Sequence, residues 1–306
     1  MKTADTSYAG GPTRRTIMGV LWGACAVTAA PQDVRSAVKA MEAGQGVEFA
    51  PYNPFVRLSI WPAISPDGRS MCWAECCPEA AKGDFRSRSL SIRIADRGVQ
   101  QISRKDLAFS TILATSNDGR IVIIGGSPLT EPRKRGVFAL AIQSGVKDDL
   151  DMTTGFGIEW EAESGNTSGS GAVVALGSES QVEVFEISPR RTIYRGAGRF
   201  PRLSPDGTRV AFVRNERLFI RLLTTGRDYE PIPETRVVGV GEWSPDGRFL
   251  SAGAWTRRFA FEKRVIIVEA ATGRYAEVGT LGDGDWGAKT GWVSTKLLDS
   301  VVKPSH

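Results

Sequence analysis

Apolar positions along this chain follow two periods. Between residues 32 and 44, Val34, Ala37, Val38 and Met41 stand at helical spacing, which predicts a short helix or linker stopped at Gly44. Residues 47–58 carry Phe49, Tyr52, Phe55, Val56 and Leu58 interrupted by Pro51 and Pro54, so they read as edge strand. From there on the period is two. Leu90-Ser91-Ile92-Arg93-Ile94 and Phe138-Ala139-Leu140-Ala141-Ile142 alternate or nearly so, and Ala172 to Leu176 and Gln181 to Ile187 are further clear strands.

Four of the strands leave the same tetrapeptide. Ser65-Pro66-Asp67-Gly68, Ser204-Pro205-Asp206-Gly207 and Ser244-Pro245-Asp246-Gly247 are identical, and Ser116-Asn117-Asp118-Gly119 differs once. Proline pre-sets φ for the second position of a turn, aspartate bonds backbone amides, and glycine takes the left-handed conformation. The serine hydroxyl adds a bond to a nearby amide. Three positions past each glycine stands Met71, Val122, Val210 or Leu250, an apolar column that fixes the register of the strand leaving the turn. The aspartates are 51, 88 and 40 residues apart, and 88 is close to two intervals. A spacing of roughly 40–45 residues with one four-stranded sheet per repeat predicts an all-β chain, a β-propeller.

The tetrapeptide with its flanking strands resembles the Pro-Asp propeller repeat of the TolB family, found also in the propellers of prolyl oligopeptidase-type enzymes. Thr225-Gly226 and Thr272-Gly273 stand where such repeats place a hairpin. The resemblance covers roughly residues 45–302 and implies architecture; propellers host many unrelated activities. Five blades follow in order: Ser59 to about Arg104, Leu107 to about Met152, Phe156 to about Tyr194, Arg199 to Pro233 and Val237 to Gly279. In the third, the first turn is replaced by a longer loop, Ser164 to Gly171. Leu281 to Val302 supplies half a blade, which the N-terminal edge strand completes. That predicts six blades closed by both ends of the chain, with five as the alternative; residues 303–306 are a tail.

The first 30 residues read as an address. Arg14-Arg15-Thr16-Ile17-Met18 fits a twin-arginine signal, Ile17 to Ala30 is apolar and rich in Ala and Gly, and Thr28-Ala29-Ala30 offers small residues for cleavage. Residues 31–44 then form the helix or linker and 45–302 the propeller. Cys25 raises a lipoprotein as the alternative to a free soluble form. Export of this kind puts the mature chain in the periplasm or outside the cell.

Charge changes the picture little. Net charge is +5, and removal of residues 1–30 lowers it to +3. No lysine-rich run suggests nucleic acid, and no apolar stretch reaches the ~18–20 residues of a membrane span. Cys72, Cys76 and Cys77 fall within one hairpin, where Cys72 reads as a small packing residue.

The candidate chemistry is bounded by histidine. His306 is the only one, which removes Ser-His-Asp and Cys-His triads and imidazole general bases. Asp67, Asp118, Asp206 and Asp246, with Gly68, Gly119, Gly207 and Gly247, read as structural turn residues because they repeat. Asp148, Asp149, Asp151, Glu159, Glu161 and Glu163 form an acidic stretch, and Arg190, Arg191, Arg195, Arg199 and Arg202 a basic one. Propellers bind at the channel mouth, where register places Trp61, Arg199, Arg202 and Glu242 as a candidate binding rim. The resulting expectation is an exported, non-catalytic monomeric binding module without a cofactor, engaging an envelope protein or anionic envelope component. The alternative is a small lactonase- or cyclase-like propeller enzyme using channel carboxylates with Ca²⁺.

Overall fold

The computed structural model describes residues 33–50, 60–75, 89–94, 98–103, 107–128, 136–142, 164–178, 180–255, 263–280 and 291–297. The chain enters through helix α1 (Val34–Gln45) and strand β1 (Val47–Ala50). Five antiparallel meanders follow, each in sequence order. The first contains β2 (Ile60–Ile64), β3 (Ser70–Glu75), β4 (Ser89–Ile94) and β5 (Gly98–Ser103), and the second β6 (Leu107–Thr115), β7 (Ile121–Pro128) and β8 (Gly136–Ala141). The third contains β9 (Ser164–Thr167), β10 (Val173–Gly177), β11 (Gln181–Glu186) and β12 (Arg191–Ala197). The fourth contains β13 (Arg199–Leu203), β14 (Arg209–Arg214), β15 (Arg217–Leu222) and β16 (Arg227–Tyr229). The fifth contains β17 (Val237–Trp243), β18 (Phe249–Trp255), β19 (Lys263–Glu269) and β20 (Tyr275–Thr280), and β21 (Gly291–Ser294) pairs with β1.

Each sheet is started by the same corner. In the first, Ser65 Oγ donates to Asp67 Oδ1 at 2.6 Å and accepts the Ser70 N–H at 2.9 Å. Asp67 Oδ1 also accepts the Arg69 N–H at 3.0 Å, while the Gly68 N–H reaches the Ser65 carbonyl at 2.8 Å. Asp118, Asp206 and Asp246 make the same bonds with Ser116, Ser204 and Ser244. All four serines are at most 3% exposed, so each hydroxyl works inside the fold as donor and acceptor at once. Gly68, Gly119, Gly207 and Gly247 have φ between +68° and +73°, where a Cβ is strained.

A fifth corner is present that the sequence pattern concealed. The segment read as a loop, Ser164 to Gly171, is β9 followed by Ser168-Gly169-Ser170-Gly171 in the corner conformation. Gly171 has φ +76°, its N–H reaches the Ser168 carbonyl at 2.9 Å, and Ser168 Oγ accepts the Val173 N–H at 3.2 Å. Ser170 replaces aspartate and lies 3.2 Å from Ser168 Oγ.

The corners also bond to one another, and the two that lack proline supply the amides of the backbone-to-backbone bonds. The Asn117 N–H donates to the Gly169 carbonyl at 2.9 Å, and the Gly169 N–H to the Pro205 carbonyl at 2.8 Å. Asn117 Oδ1 accepts the Asp67 N–H at 3.0 Å. Proline at either position would remove the donor. A Cβ at Gly169 would lie 2.5 Å from Asn117 Nδ2, so glycine there permits the approach. Surroundings make the corners unequal: a Cβ at Gly68 would meet the Trp292 carbonyl at 2.5 Å, whereas at Gly207 the nearest atom is the Ser168 Cβ at 3.1 Å.

Successive sheets bury apolar faces against each other. Cys72, fully buried, packs with Ile112, Val122 and Phe138 between the first and second sheets. Val137, Val174 and Phe185 join the second to the third, and Val184, Val210 and Phe212 the third to the fourth. Ile220, Trp243 and Ile266 join the fourth to the fifth. Gly226 and Gly273 close hairpins at φ +69° and +71°, as the Thr-Gly pairs predict.

Helix α1 is part of this core rather than a lead-in. Val34, Ala37, Val38 and Met41 face Val47, Phe49, Phe249, Ile267 and Trp292. The helix runs through Gly44, and Gly46 at φ +65° terminates it by donating to the Glu42 carbonyl. The buried Glu42 carboxylate accepts the Phe49 N–H at 2.8 Å, which caps a backbone donor of β1 that its partner strand does not use. The terminal pair contacts the fifth sheet through this cluster. It contacts the first through Val293 and Leu297 on Met71 and Trp73, and through Ser294 N–H to the Gly68 carbonyl at 2.8 Å.

Restoring the consensus proline should harm this protein. Asn117→Pro removes the donor to Gly169 and the acceptor for Asp67, and is expected to lower unfolding stability by about 2–3 kcal/mol. Denaturant unfolding measures it; a neutral or stabilising result would show that the bonds between corners carry no weight.

Candidate functional site

The innermost strands of the first, second, fourth and fifth sheets are irregular, and the irregularity aims particular side chains. Register shifts interrupt β2 between Ile60 and Ala63, β6 between Ile112 and Ala114, β13 between Arg199 and Arg202, and β17 between Val240 and Trp243. Bulges of this kind turn a side chain away from the pleat and are common beside sites. Two positions before each corner serine stand Ala63, Ala114, Asn166, Arg202 and Glu242, and all five line one small cavity of about 30 Å³. That volume holds about one water.

The cavity wall is small and apolar on the first two sheets and polar on the next three. Asn166, 7% exposed, accepts the Leu203 N–H at 2.7 Å and donates to the Leu203 carbonyl at 3.0 Å, substituting for a strand pair between the third and fourth sheets. Arg202 Nε lies 2.8 Å from Glu242 Oε1, with the two side chains 13% and 29% exposed. The contact is an ion pair off the axis of an aligned hydrogen bond. Backbone bonds hold both partners: the Trp243 indole N–H donates to the Arg202 carbonyl at 2.9 Å, and the Glu242 N–H to Ser251 Oγ at 2.9 Å.

Of the expected rim, the structure brings Arg202 and Glu242 together and separates Arg199. Arg199 opens β13, exposed, with its guanidinium 5.5 Å from the Phe200 ring centre. Arg202 sits near the other end of that strand, beside the corners. Arg69 and Arg248, which follow their corner glycines, therefore share the end of the fold with Arg202. Trp61 belongs to β2, and its side chain lies outside the described residues. The basic stretch is not one patch: Arg191 pairs with Glu186, Arg195 with Glu183, and Arg190 lies over Phe185. The acidic stretch up to Glu163, like Arg14 and Arg15, lies outside the described residues.

Asn166 and the two alanines escaped the sequence reading. The signal for them was present: Ser168 and Gly171 keep the first and last letters of the corner, 52 residues after Ser116 and 36 before Ser204. Counting back two from each serine would have found the whole column.

Among the described residues the most perturbed carboxylate lies elsewhere. Glu269, 6% exposed, accepts from Thr272 Oγ1 at 2.6 Å, from Arg274 Nη2 at 2.6 Å and from Arg248 Nη2 at 3.1 Å. The Thr272 bond, followed by those from Arg274 and Arg248, outweighs burial and holds the carboxyl at about 2. It anchors the β19–β20 hairpin to the fifth corner. Among the described residues, no three His, Cys, Asp and Glu side chains converge as a metal cluster.

With this geometry in view, the solved structures can be compared. TolB from Acinetobacter baumannii is similar at TM-score 0.50 and 15% identity, over 77% of this chain and 56% of that chain. The fold is a TolB-like β-propeller. Prolyl oligopeptidase B from Galerina marginata is similar at TM-score 0.48 and 14% identity, over 75% of this chain and 37% of that chain. This propeller chain thus spans little more than half of the TolB chain. No family model and no curated protein matches the sequence.

The anchored carboxylate yields a pH signature. Glu269 has a lowered folded pKa, so its stabilisation is complete above its ordinary value of 4.5 and fades as pH falls toward about 2. Glu269→Gln should lower stability at neutral pH and flatten the loss across that window. Acid titration of the unfolding midpoint decides it: an unchanged slope would mean that Glu269 gains nothing from its partners.

Proposed function

We propose that this chain is an exported, non-catalytic propeller that acts as a binding module of the bacterial envelope. The carrying observation is the column at the corner end of the channel. There Arg202, Glu242 and Asn166 present fixed donors and acceptors around a space of about 30 Å³, room for a water and too little for a substrate. A partner is then met at the surface around the column, by a macromolecule that spans several blades. The blades number six in this reading, the sixth being β1 and β21 with α1 in place of outer strands. The twin-arginine segment delivers the chain to the periplasm. Cleavage after Ala30 leaves Asp33, whose side chain accepts the Arg35 N–H in the first turn of α1, within the mature protein. No observation favours the lactonase-like reading over this one.

Two experiments test the proposal. Replacing Arg14 and Arg15 together by lysine should leave precursor in the cytoplasm in fractionated cells, and normal processing would discard the twin-arginine route. The mature propeller, immobilised against an envelope extract, should retain a partner that the double variant Arg202→Ala, Glu242→Ala releases at least about tenfold more readily. Equal retention by the folded double variant would remove the column from the binding surface.

A further inference from the structure

A second cavity is unrelated to the channel. β16 is only three residues long, so the outer edge of the fourth sheet stops short and leaves part of the fifth sheet's face uncovered. The segment Pro231 to Thr235 crosses beside the opening. Between it and β18 to β20 lies a cleft of about 530 Å³, within the ~300–1,000 Å³ range of ligand sites.

The cleft has fixed walls. Ile232, 5% exposed, anchors the crossing segment in the core between the fourth and fifth sheets. A turn closed by the Thr235 N–H on the Ile232 carbonyl at 3.0 Å stiffens it. Pro231 is seated on Gly273 so closely that a Cβ there would overlap its carbonyl. Opposite stand Trp255 and Tyr275, and Tyr275, 47% exposed, is the exposed large hydrophobic side chain among the described residues. Exposed glutamates lie along the lining, Glu234 on the crossing segment and Glu277 on β20, with Arg264 between the strands. Among the described residues the Glu277 carboxylate enters no ion pair, and the Trp255 face already takes a cation, the Lys263 ammonium at 5.4 Å from its ring centre.

We infer that this cleft binds an extended, proline-containing peptide segment that carries a basic side chain. Aromatic faces accept the flat, preformed left-handed helix of such a segment at low entropic cost. The Glu277 carboxylate selects a guanidinium or ammonium beside it, and aromatic rings add cation–π attraction. Arg264 disfavours a second positive charge, which limits the match to a segment with a single basic residue. The inference is independent of the channel column, which lies on the innermost strands.

The probe is a short fluorescent peptide of prolines and leucines with one arginine at its end, followed by anisotropy against the full chain. Wild-type protein should bind it, and Tyr275→Ala should weaken binding at least about tenfold. Glu277→Lys should weaken it further at low salt and favour a peptide with glutamate in place of arginine. Arg202→Ala should leave it unchanged. Tyr275 and Glu277 are exposed, and thermal unfolding of the variants verifies their fold. No binding to wild type, equal binding by Tyr275→Ala, no preference for arginine over glutamate, or loss of binding in Arg202→Ala would each overturn the assignment.

Discussion

The bond on which the rest depends is the one between a buried serine hydroxyl and the aspartate two residues on. It forces the chain to reverse, fixes which strand residue follows the corner, and so decides which side chains face the neighbouring sheet. A one-residue slip would carry Val210 and Phe212 to the wrong face and dissolve the core between the third and fourth sheets. The hydroxyl donates to the carboxylate and accepts from the strand amide, a double role that a side chain without a hydroxyl, such as alanine, leaves empty. Because the corners also bond to each other through Asn117 and Gly169, the same element that orders each sheet sets the distance between sheets.

Architecture was legible where a local pattern stands for a local bond. The four recognisable corners, the Thr-Gly hairpins and the apolar column after each glycine describe contacts within a few residues, and they appear in the fold as read. What was hidden depended on neighbours distant in sequence. Asn117 looks like a worn copy of proline until the Gly169 carbonyl stands in front of its amide. Ser168 to Gly171 looks like a loop because serine has replaced the aspartate whose charge marks the motif. Gly44 looks like a helix stop, yet Gly46 is the residue with the left-handed φ, since β1 must turn back along the helix it follows.

The candidate site shows the same division. Arg202 and Glu242 were reachable by register, whereas their pairing was not, because it needs two sheets placed side by side. Register also placed Arg199 on the rim, but three extended residues span roughly 10 Å and put it at the other end of the strand from Arg202. Charge clusters in the sequence dissolve for a related reason: Arg190, Arg191, Arg195 and Arg202 each meet a carboxylate or aromatic ring on a different strand, and Arg199 lies over its neighbour Phe200.

The seating of α1 has a consequence for the order in which the fold can be assembled. The helix is made about 200–250 residues before Phe249, Val265, Ile267 and Trp292, on which its apolar face packs. At about 5–20 residues per second of synthesis, the helix waits on the order of 10–50 s for those partners. The five meanders can form one after another as they emerge, each using contacts close in sequence. The helix then meets its distant partners after the sheets between them have formed, so a chain truncated before Trp292 would retain ordered sheets while leaving the amphipathic face of α1 open to other proteins.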